Sequence, residues 1–401
     1  NDSKREYEKC FDFKDNYEDV LIQENNDSIE HYYLFKKHVE ISSEKYADLI
    51  IAYPVDENYD FSKEKLYCYF PIRNFQTPIH ALIHAPFLTN SSRDDVPNDT
   101  EQINYSIFKQ VATFTKEVAE ILKNLTQANP IEFVTPINFS SNKMWDDDSF
   151  NLKDLYLELL CDSKIIPTVN NEYISINDNP KLLKDNYPNE FKGEGFEQLV
   201  KSGLNQDVYN FIVALCEKLK INYSFDSQNL ANAINIHSNE YNIDSSIRIF
   251  MWWSKFYRNS SVLPNLLKDT NENWIQKDFK VFLPTNDGIS VLDSSLSWVK
   301  LCILKQEYVT KLIEIIKLNY SIEWERIGNK YSAERTNEKR LLDAYSDANL
   351  AVNFTEQSSS RVIISEIVNQ IDNDEKAISF MNWFYENYKD KMAADSELAK
   401  L

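Results

Sequence analysis

The feature of the sequence that most constrains its fold is the order of patterns between Leu66 and Asn104. Leu66–Phe70 is apolar and aromatic, which predicts a buried strand, and Pro78–Phe87 alternates apolar and polar residues as a second strand does. The polar run Arg73–Thr77 predicts a turn between them. After the second strand the periodicity is lost, and a strongly amphipathic helix then begins. This order predicts a sheet with a helix packed on one face.

Three earlier segments extend the predicted sheet. Asp19–Gln23, Glu30–Val39 and Asp48–Val55 are short apolar runs between polar turns, and with the later strands they predict a sheet of four or five strands. The helix predicted over Asn104–Leu125 repeats apolar residues at intervals of three and four, as a helix packed on a sheet does. The fold class is therefore α+β, with a first domain over residues 1–128.

The rest of the chain is predicted to form two related, mostly helical units that carry β-hairpins, over residues 129–265 and 266–401. Three pairs of segments recur in the same order but with unequal spacing: Ile165–Glu172 and Phe282–Gly288, Lys220–Ser224 and Lys317–Ser321, and Phe250–Trp253 and Phe380–Trp383. The first pair predicts strand–turn–strand hairpins, and the last pair lies in helical patterns. Internal duplication explains the common order. The alternative is chance similarity in a chain rich in asparagine, tyrosine and tryptophan.

The charge of the chain limits its partners. It carries 43 basic and 63 acidic residues, which give a formal net charge of −20 at pH 7. So acidic a chain disfavours a nucleic-acid backbone or an anionic membrane as its main partner, because both are themselves negative. We therefore expect neither nucleic acid nor a membrane among its partners.

The cysteines indicate the compartment. There are five, an odd number without paired spacing, which favours neither a disulfide framework nor a zinc site. No apolar segment is long enough to cross a bilayer. These features predict a cytoplasmic protein. The chain opens on Asn1 without a start-like pattern, and we expect it to be a fragment excised from a longer protein.

Glycine usage argues against a nucleotide pocket. Only five glycines occur in 401 residues, whereas loops that cradle phosphate usually need clustered glycines so that backbone amides can approach the ligand. No Walker A motif or dinucleotide fingerprint is present. His80 and His84 lie four residues apart, but on a strand that spacing separates them by about 13 Å, too far for one ion. We therefore predict no cofactor and no metal in this chain.

A group of residues between the first predicted strand and the start of the predicted helix carries a resemblance to a known family. These residues are the aromatic strand ending at Pro71, the tetrapeptide His84–Phe87, the tripeptide Ser91–Arg93, and Asn104 at the helix start. They resemble the region after the ATP-binding domain in sacsin-like proteins. Those proteins belong to the ATPase superfamily of gyrase, the heat-shock chaperone of ninety kilodaltons, histidine kinases and mismatch-repair proteins. The resemblance implies a transducer-like first domain, with ATP and Mg²⁺ bound by an upstream ATP-binding domain of the same polypeptide.

The resemblance also implies a role for Arg93. In such ATPases a loop that precedes a helix sends a basic residue to the γ-phosphate, so Arg93 is a candidate accessory catalytic residue, expected to be exposed. An arginine in this position stabilises charge that develops on the transferred phosphoryl group. Two aspartates, Asp94 and Asp95, directly follow Arg93 and depart from the family pattern. The open alternative is therefore an ordinary surface arginine paired with one of them.

Two functions follow from these observations. The chain is expected to couple ATP binding in the upstream domain to conformational change and to binding of an unidentified protein client or partner. The alternative is a stand-alone protein-interaction scaffold without nucleotide coupling. Neither gives this chain a complete active site of its own.

Overall fold

A computed structural model describes most of the chain. The described residues are 7–13, 17–24, 28–42, 45–55, 59, 65–76, 79–97, 103–125, 128–136, 152–183, 186–283, 294–319, 350–352, 354–356 and 360–392.

The N-terminal part of the chain forms a seven-stranded mixed sheet. Its strands are β1 (Tyr7–Phe13), β2 (Glu18–Glu24), β3 (Ser28–Ser42), β4 (Lys45–Pro54), β5 (Lys65–Cys68), β6 (Phe70–Gln76) and β7 (Leu82–His84). They lie in the order β1-β2-β3-β4-β7-β5-β6. The pairing of β5 with β7 is parallel, and every other pairing in this sheet is antiparallel. The three predicted upstream strands are confirmed as β2, β3 and β4.

The turn predicted over Arg73–Thr77 is wrong. The chain reverses earlier, at Tyr69, whose φ of 60° lies in the left-handed region, and Cys68 pairs directly with Phe70. The polar residues that follow are therefore part of β6, which lies at the edge of the sheet. An edge strand pairs with only one neighbouring strand, so its sequence need not alternate buried apolar residues with exposed polar ones. The second predicted strand is also shorter than expected, since its regular pairing is confined to β7, with one isolated bridge between Ile79 and Pro136.

Helix α1 (Ile103–Leu122) covers the sheet as predicted. Its buried face includes Ile107, Val111, Phe114 and Val118, which share one core with buried residues of β3 and β4 such as Phe35, Leu49 and Ile51. Burial of this continuous apolar stripe, at about 25 cal/mol per Å², is the main force that holds the helix on the sheet.

The core of the sheet extends beyond the predicted first domain. Helices α2 (Pro130–Val134), α3 (Leu152–Cys161) and α4 (Gln206–Lys218) contribute to the same buried cluster. A two-stranded hairpin, β8 (Ile166–Pro167) with β9 (Tyr173–Ile174), lies between α3 and α4 in the chain.

The chain divides into two compact units. The first comprises residues 1–186 and 197–224, and the second residues 187–196 and 225–401. The boundaries predicted at 128/129 and 265/266 each fall inside one of these units. The predicted division into residues 1–128, 129–265 and 266–401 therefore does not coincide with the two compact units, and it stays a prediction.

The second unit contains a small parallel sheet covered by helices. Its elements are α5 (Ser227–Ile236), α6 (Ile243–Tyr257), β10 (Lys280–Leu283), β11 (Leu301–Ile303), α7 (Gln306–Asn319), β12 (Phe354–Glu356), α8 (Ser360–Val368) and α9 (Asp374–Met392). Strand β10 lies between β11 and β12 and is parallel to both. Phe282 of β10, Ile363 of α8 and Trp383 of α9 are buried together in its core. The molecule is thus α+β throughout.

The pairing of Ile165–Glu172 with Phe282–Gly288 is wrong as part of the predicted repeat. Strand β8 pairs antiparallel with β9, whereas both edges of β10 hold parallel neighbours, so Phe282 does not lie in the predicted hairpin. The second predicted turn, at residues 286–288, lies outside the described residues.

The structure indicates another counterpart of β10. Lys181 and Leu182 also lie between two parallel neighbours, because the Lys181 amide donates to the carbonyl of Gln198 (2.7 Å) and the Leu182 amide to that of Tyr223 (2.8 Å). The equivalent pairs in the second unit are Lys280 with Leu301 and Val281 with Phe354. The order of the following helices also agrees. One neighbour of each strand precedes a single helix, α4 in the first case and α7 in the second. The other neighbour precedes two helices, the second of which carries the buried tryptophan: α5 and α6 in the first case, α8 and α9 in the second. The duplication stays a prediction, now with Lys181 aligned on Lys280.

No helix in the described part of the chain is both long enough and apolar enough to span a membrane. The cysteines whose side chains are described, Cys68, Cys161, Cys216 and Cys302, all carry free thiols.

Candidate functional site

Arg93 lies on the loop between β7 and α1, residues 88–97, which we call the Arg93 loop. One buried side chain of α1 holds both ends of this loop. The Asn104 Oδ1 accepts a hydrogen bond from the Leu88 amide (2.8 Å), while Nδ2 donates to the carbonyls of Leu88 (2.9 Å) and Pro97 (2.8 Å). Because Asn104 is fully buried, these bonds satisfy polar groups that would otherwise be costly to bury. The sequence indicated Asn104 only as a helix start.

The middle of the Arg93 loop is a turn closed around Asn90. The Asn90 carbonyl accepts from the Arg93 amide (3.0 Å), and its side-chain Oδ1 accepts from the Asp94 amide (2.8 Å). Arg93 itself has a φ of 55°. This left-handed conformation is uncommon for a residue with a side chain and persists only where surrounding bonds hold it.

The loop also lies along the outer edge of β6. The Asn74 amide donates to the Asp94 carbonyl (2.8 Å), and the Arg73 amide to the Arg93 carbonyl (3.5 Å). Backbone groups of the edge strand thereby gain partners that the sheet does not supply. The sheet edge and Asn104 together fix where the Arg93 backbone lies.

The Arg93 side chain is exposed, as predicted. Its guanidinium carbon lies 5.7 Å from the centre of the Phe70 ring, a cation–π contact. Among the residues that the structure describes, Arg93 forms no ion pair. Asp94 instead lies 3.8 Å from the Arg73 guanidinium, and the Asp95 carboxylate accepts the Val96 amide at 2.9 Å. The alternative that pairs Arg93 with one of these aspartates is therefore not what the structure shows.

Two aromatic residues beside Arg93 are exposed, contrary to the prediction of a buried strand. Tyr69 is 80% exposed and Phe70 is 63% exposed, because the reversal at Tyr69 carries both side chains beyond the sheet. Leu88, at the start of the Arg93 loop, is also exposed. We call Tyr69, Phe70, Leu88 and Arg93 the Arg93 patch. Tyrosine and arginine are enriched among the residues that dominate protein-binding energies.

The titratable groups under the patch are suited to structure rather than to catalysis. The His84 ring packs edge-on against Tyr69 with centroids 5.5 Å apart, and its Nδ1 accepts the Tyr69 amide at 3.4 Å. Burial lowers the pKa of His84, which keeps Nδ1 an acceptor at neutral pH. Burial also raises the pKa of the Cys68 thiol, although the Arg93 charge opposes this. A protonated thiol is a poor nucleophile, and His84 holds its Nδ1 in a hydrogen bond, so these two side chains are arranged to support the patch.

The two histidines considered for a metal have separate partners. The Nδ1 of His80 hydrogen-bonds the carbonyl of Thr135 (2.9 Å), whereas His84 contacts Tyr69. In the part of the chain that the structure describes, no cluster of three or more histidine, cysteine, aspartate or glutamate side chains is arranged to hold a metal ion.

Comparison with protein-family models, with curated proteins and with solved structures found no match. The resemblance to sacsin-like ATPases therefore stays a prediction that rests on the residues quoted above.

Proposed function

We propose that this chain is the transducer-like region of a sacsin-like ATPase of the cytoplasm. In this proposal a separate ATP-binding domain of the same polypeptide holds ATP and Mg²⁺, and the present chain couples nucleotide binding to conformational change and partner binding. The observation that carries the proposal is the Arg93 side chain, which is exposed and without an ion pair among the described residues, on a loop held at both ends by Asn104. The free thiols support a reducing compartment.

The geometry suits a residue that acts on another domain. A guanidinium that must reach a phosphate outside its own domain cannot be sequestered in an internal ion pair. Holding the backbone of such a residue in advance reduces the entropy lost when it engages its ligand. The cation–π contact with Phe70 keeps the guanidinium over an exposed ring without using its hydrogen-bond donors.

The arrangement of the aspartates is compatible with this role. Arg73 lies against Asp94 and offsets part of its charge, while Asp95 caps a backbone amide of its own loop. Part of the negative charge next to Arg93 is therefore compensated before a phosphate approaches.

The exposed aromatic residues favour the second candidate function, a protein-interaction scaffold. Tyr69 and Phe70 offer apolar area beside the arginine, and Leu88 of the same loop is exposed as well, which is the composition of a protein-binding surface. In that case Arg93 would contact a carboxylate of the partner rather than a phosphate.

The test is ATP turnover by the polypeptide that joins this chain to an ATP-binding domain. Arg93→Ala should lower kcat by at least about tenfold, or about 1.4 kcal/mol of transition-state stabilisation. Arg93→Lys should restore part of the loss, since an ammonium lacks the bidentate fork of a guanidinium. Arg258, an exposed arginine that directly follows α6, supplies the control, and Arg258→Ala should leave kcat within about twofold of the unmodified protein.

Turnover that is unchanged in Arg93→Ala would exclude the coupling role. If Tyr69→Ser and Phe70→Ser then abolished capture of a protein partner without altering turnover, the scaffold function would stand instead.

A further inference from the structure

Helix α9 exposes an apolar stripe. It buries Phe380, Trp383, Phe384 and Tyr388 in the core of the second unit. On another face Ile378, Met381 and Tyr385 are 62%, 59% and 65% exposed. Intervals of three and four residues place these three side chains in one row along the helix. We call this row the α9 stripe.

Helix α6, the predicted counterpart of α9, shows that a helix with a buried tryptophan does not require apolar residues at both ends of this row. When Trp253 is aligned on Trp383, Arg248 and Lys255 occupy the positions of Ile378 and Tyr385, and Met251 occupies that of Met381. Arg248 is half exposed and hydrogen-bonds Glu190, and Lys255 is exposed with its ammonium 4.6 Å from the Phe256 ring centre. A tryptophan helix of this type therefore folds with charged residues in the row, so packing of the core does not explain the α9 stripe.

Acidic side chains flank the α9 stripe. Asp374 and Glu375 lie one turn before Ile378, Glu386 directly follows Tyr385, and all three are exposed. The one cation among the residues of this helix whose side chains the structure describes, Lys376, is engaged elsewhere, since it pairs with Asp372 at 2.8 Å and lies over the ring of Trp298. An apolar row edged by carboxylates is complementary to a surface that is apolar in the middle and basic at its rim.

The charge of the whole chain favours a basic partner over a second copy. Two copies that meet through this face would bring together chains of −20 each, and their acidic flanks would repel. A cationic helix instead gains from both features of the α9 stripe, because apolar contact supplies affinity and the flanking charges supply orientation.

We propose that the α9 stripe binds a basic amphipathic helix of a protein partner. The apolar face of that helix packs on Ile378, Met381 and Tyr385, and its lysine or arginine residues face Glu375 and Glu386. This site is independent of the Arg93 patch, which lies in the first unit.

The test uses a synthetic amphipathic peptide of leucine and lysine, about 18 residues long so that it spans five helical turns. Fluorescence anisotropy of the labelled peptide measures its Kd for the full chain. Ile378→Gln combined with Tyr385→Gln leaves the net charge unchanged and should raise the Kd at least about tenfold, as loss of two anchor residues does. Leu318→Gln alters an exposed apolar residue outside the stripe, at the end of α7, and should leave the Kd unchanged.

The contribution of charge is tested separately. Glu375→Gln combined with Glu386→Gln should weaken binding of the lysine peptide and flatten its salt dependence, and the same peptide with glutamate in place of lysine should bind far more weakly. Equal binding of the lysine peptide by the Ile378→Gln/Tyr385→Gln variant would overturn the proposal. So would a concentration-dependent dimer in sedimentation velocity that this variant abolishes, since the stripe would then bind a second copy.

Discussion

Gly195 and Gly203 share a backbone conformation but differ in their surroundings. Their φ values are 84° and 83°, in a region that residues with a side chain rarely adopt. A Cβ at Gly195 would lie 3.0 Å from the Cβ of Ala233 and 3.1 Å from its Cα, whereas a Cβ at Gly203 would meet no atom within 4 Å. Gly195 is therefore constrained both by its backbone conformation and by its close approach to helix α5, whereas Gly203 is constrained by its backbone conformation alone.

This difference predicts unequal effects of the same substitution. Gly203→Ala should cost about 1–2 kcal/mol for the left-handed backbone alone. Gly195→Ala should cost about 1–3 kcal/mol more, because the added methyl group must displace the backbone of α5. Native-state hydrogen exchange of the α4 amides for Gly203→Ala, and of the α5 amides for Gly195→Ala, measures each loss locally. Equal losses would show that the contact with Ala233 relaxes freely.

The sequence predicted that the Arg93 side chain is exposed, but it did not predict the contacts that hold the residue in place. Exposure of Arg93 followed from its polar, aperiodic surroundings. The reversal at Tyr69 could not be predicted, because no glycine, asparagine or proline stands at or next to Tyr69. Tyrosine itself rarely adopts a positive φ. The clamp formed by Asn104 could not be predicted either, since its partners are backbone groups whose positions depend on the path of the loop.

At the scale of elements, the C-terminal end of α5 is tied to the 193–195 turn through His237. The ring Nε2 donates to the Glu194 carbonyl (2.9 Å), and Nδ1 hydrogen-bonds the Glu240 carboxylate (3.0 Å). Burial lowers the pKa of His237, but the hydrogen bonds to Glu240 and Glu194 outweigh it and leave the pKa above its ordinary value. The charged form of His237 therefore stabilises this junction.

The direction of this shift predicts how stability depends on pH. A histidine whose pKa is raised by folding contributes stability that is fully present below its unfolded pKa of about 6.5, and that is lost as pH rises through the higher folded pKa. The difference in Tm between the unmodified chain and His237→Gln should therefore shrink as pH rises from about 6 to about 8. In a Glu240→Gln background the difference should lose most of its pH dependence. A difference that grows with pH would contradict this account.

The elements that the sequence predicted well are those with local patterns. Helix α1 follows from apolar spacing along its own length, and β2, β3 and β4 follow from apolar runs between polar turns. Strands β5 and β6 were misjudged because their division depends on one residue, Tyr69, and on the position of β6 at the sheet edge.

At the scale of the whole molecule, the sequence indicated a recurring order of segments but not their pairing. The parallel neighbours of β10 lie far from it in the chain, and such register is specified by distant contacts rather than by local propensity. The alignment of Lys181 on Lys280 became evident only from backbone hydrogen bonds on both sides of each strand. The compact units likewise follow from buried contacts, so their limits differ from the domain boundaries predicted at 128/129 and 265/266.

In the proposed function, Asn104 holds the Arg93 loop so that Arg93 can act on a phosphate bound by another domain. Asn104→Ala leaves backbone groups of Leu88 and Pro97 without their partner, and should cost about 1–3 kcal/mol of stability as well as the position of Arg93. The Asn104→Ala substitution should alter ATP turnover only by displacing Arg93.

The most direct measurement is a double-mutant cycle on kcat for ATP, in the polypeptide that joins this chain to an ATP-binding domain, at a temperature where every variant is folded by circular dichroism. We predict that Asn104→Ala lowers kcat when Arg93 is present, and that the Asn104→Ala/Arg93→Ala double variant is no slower than Arg93→Ala alone. Losses that simply add, or an Asn104→Ala variant with unaltered kcat, would contradict the claim.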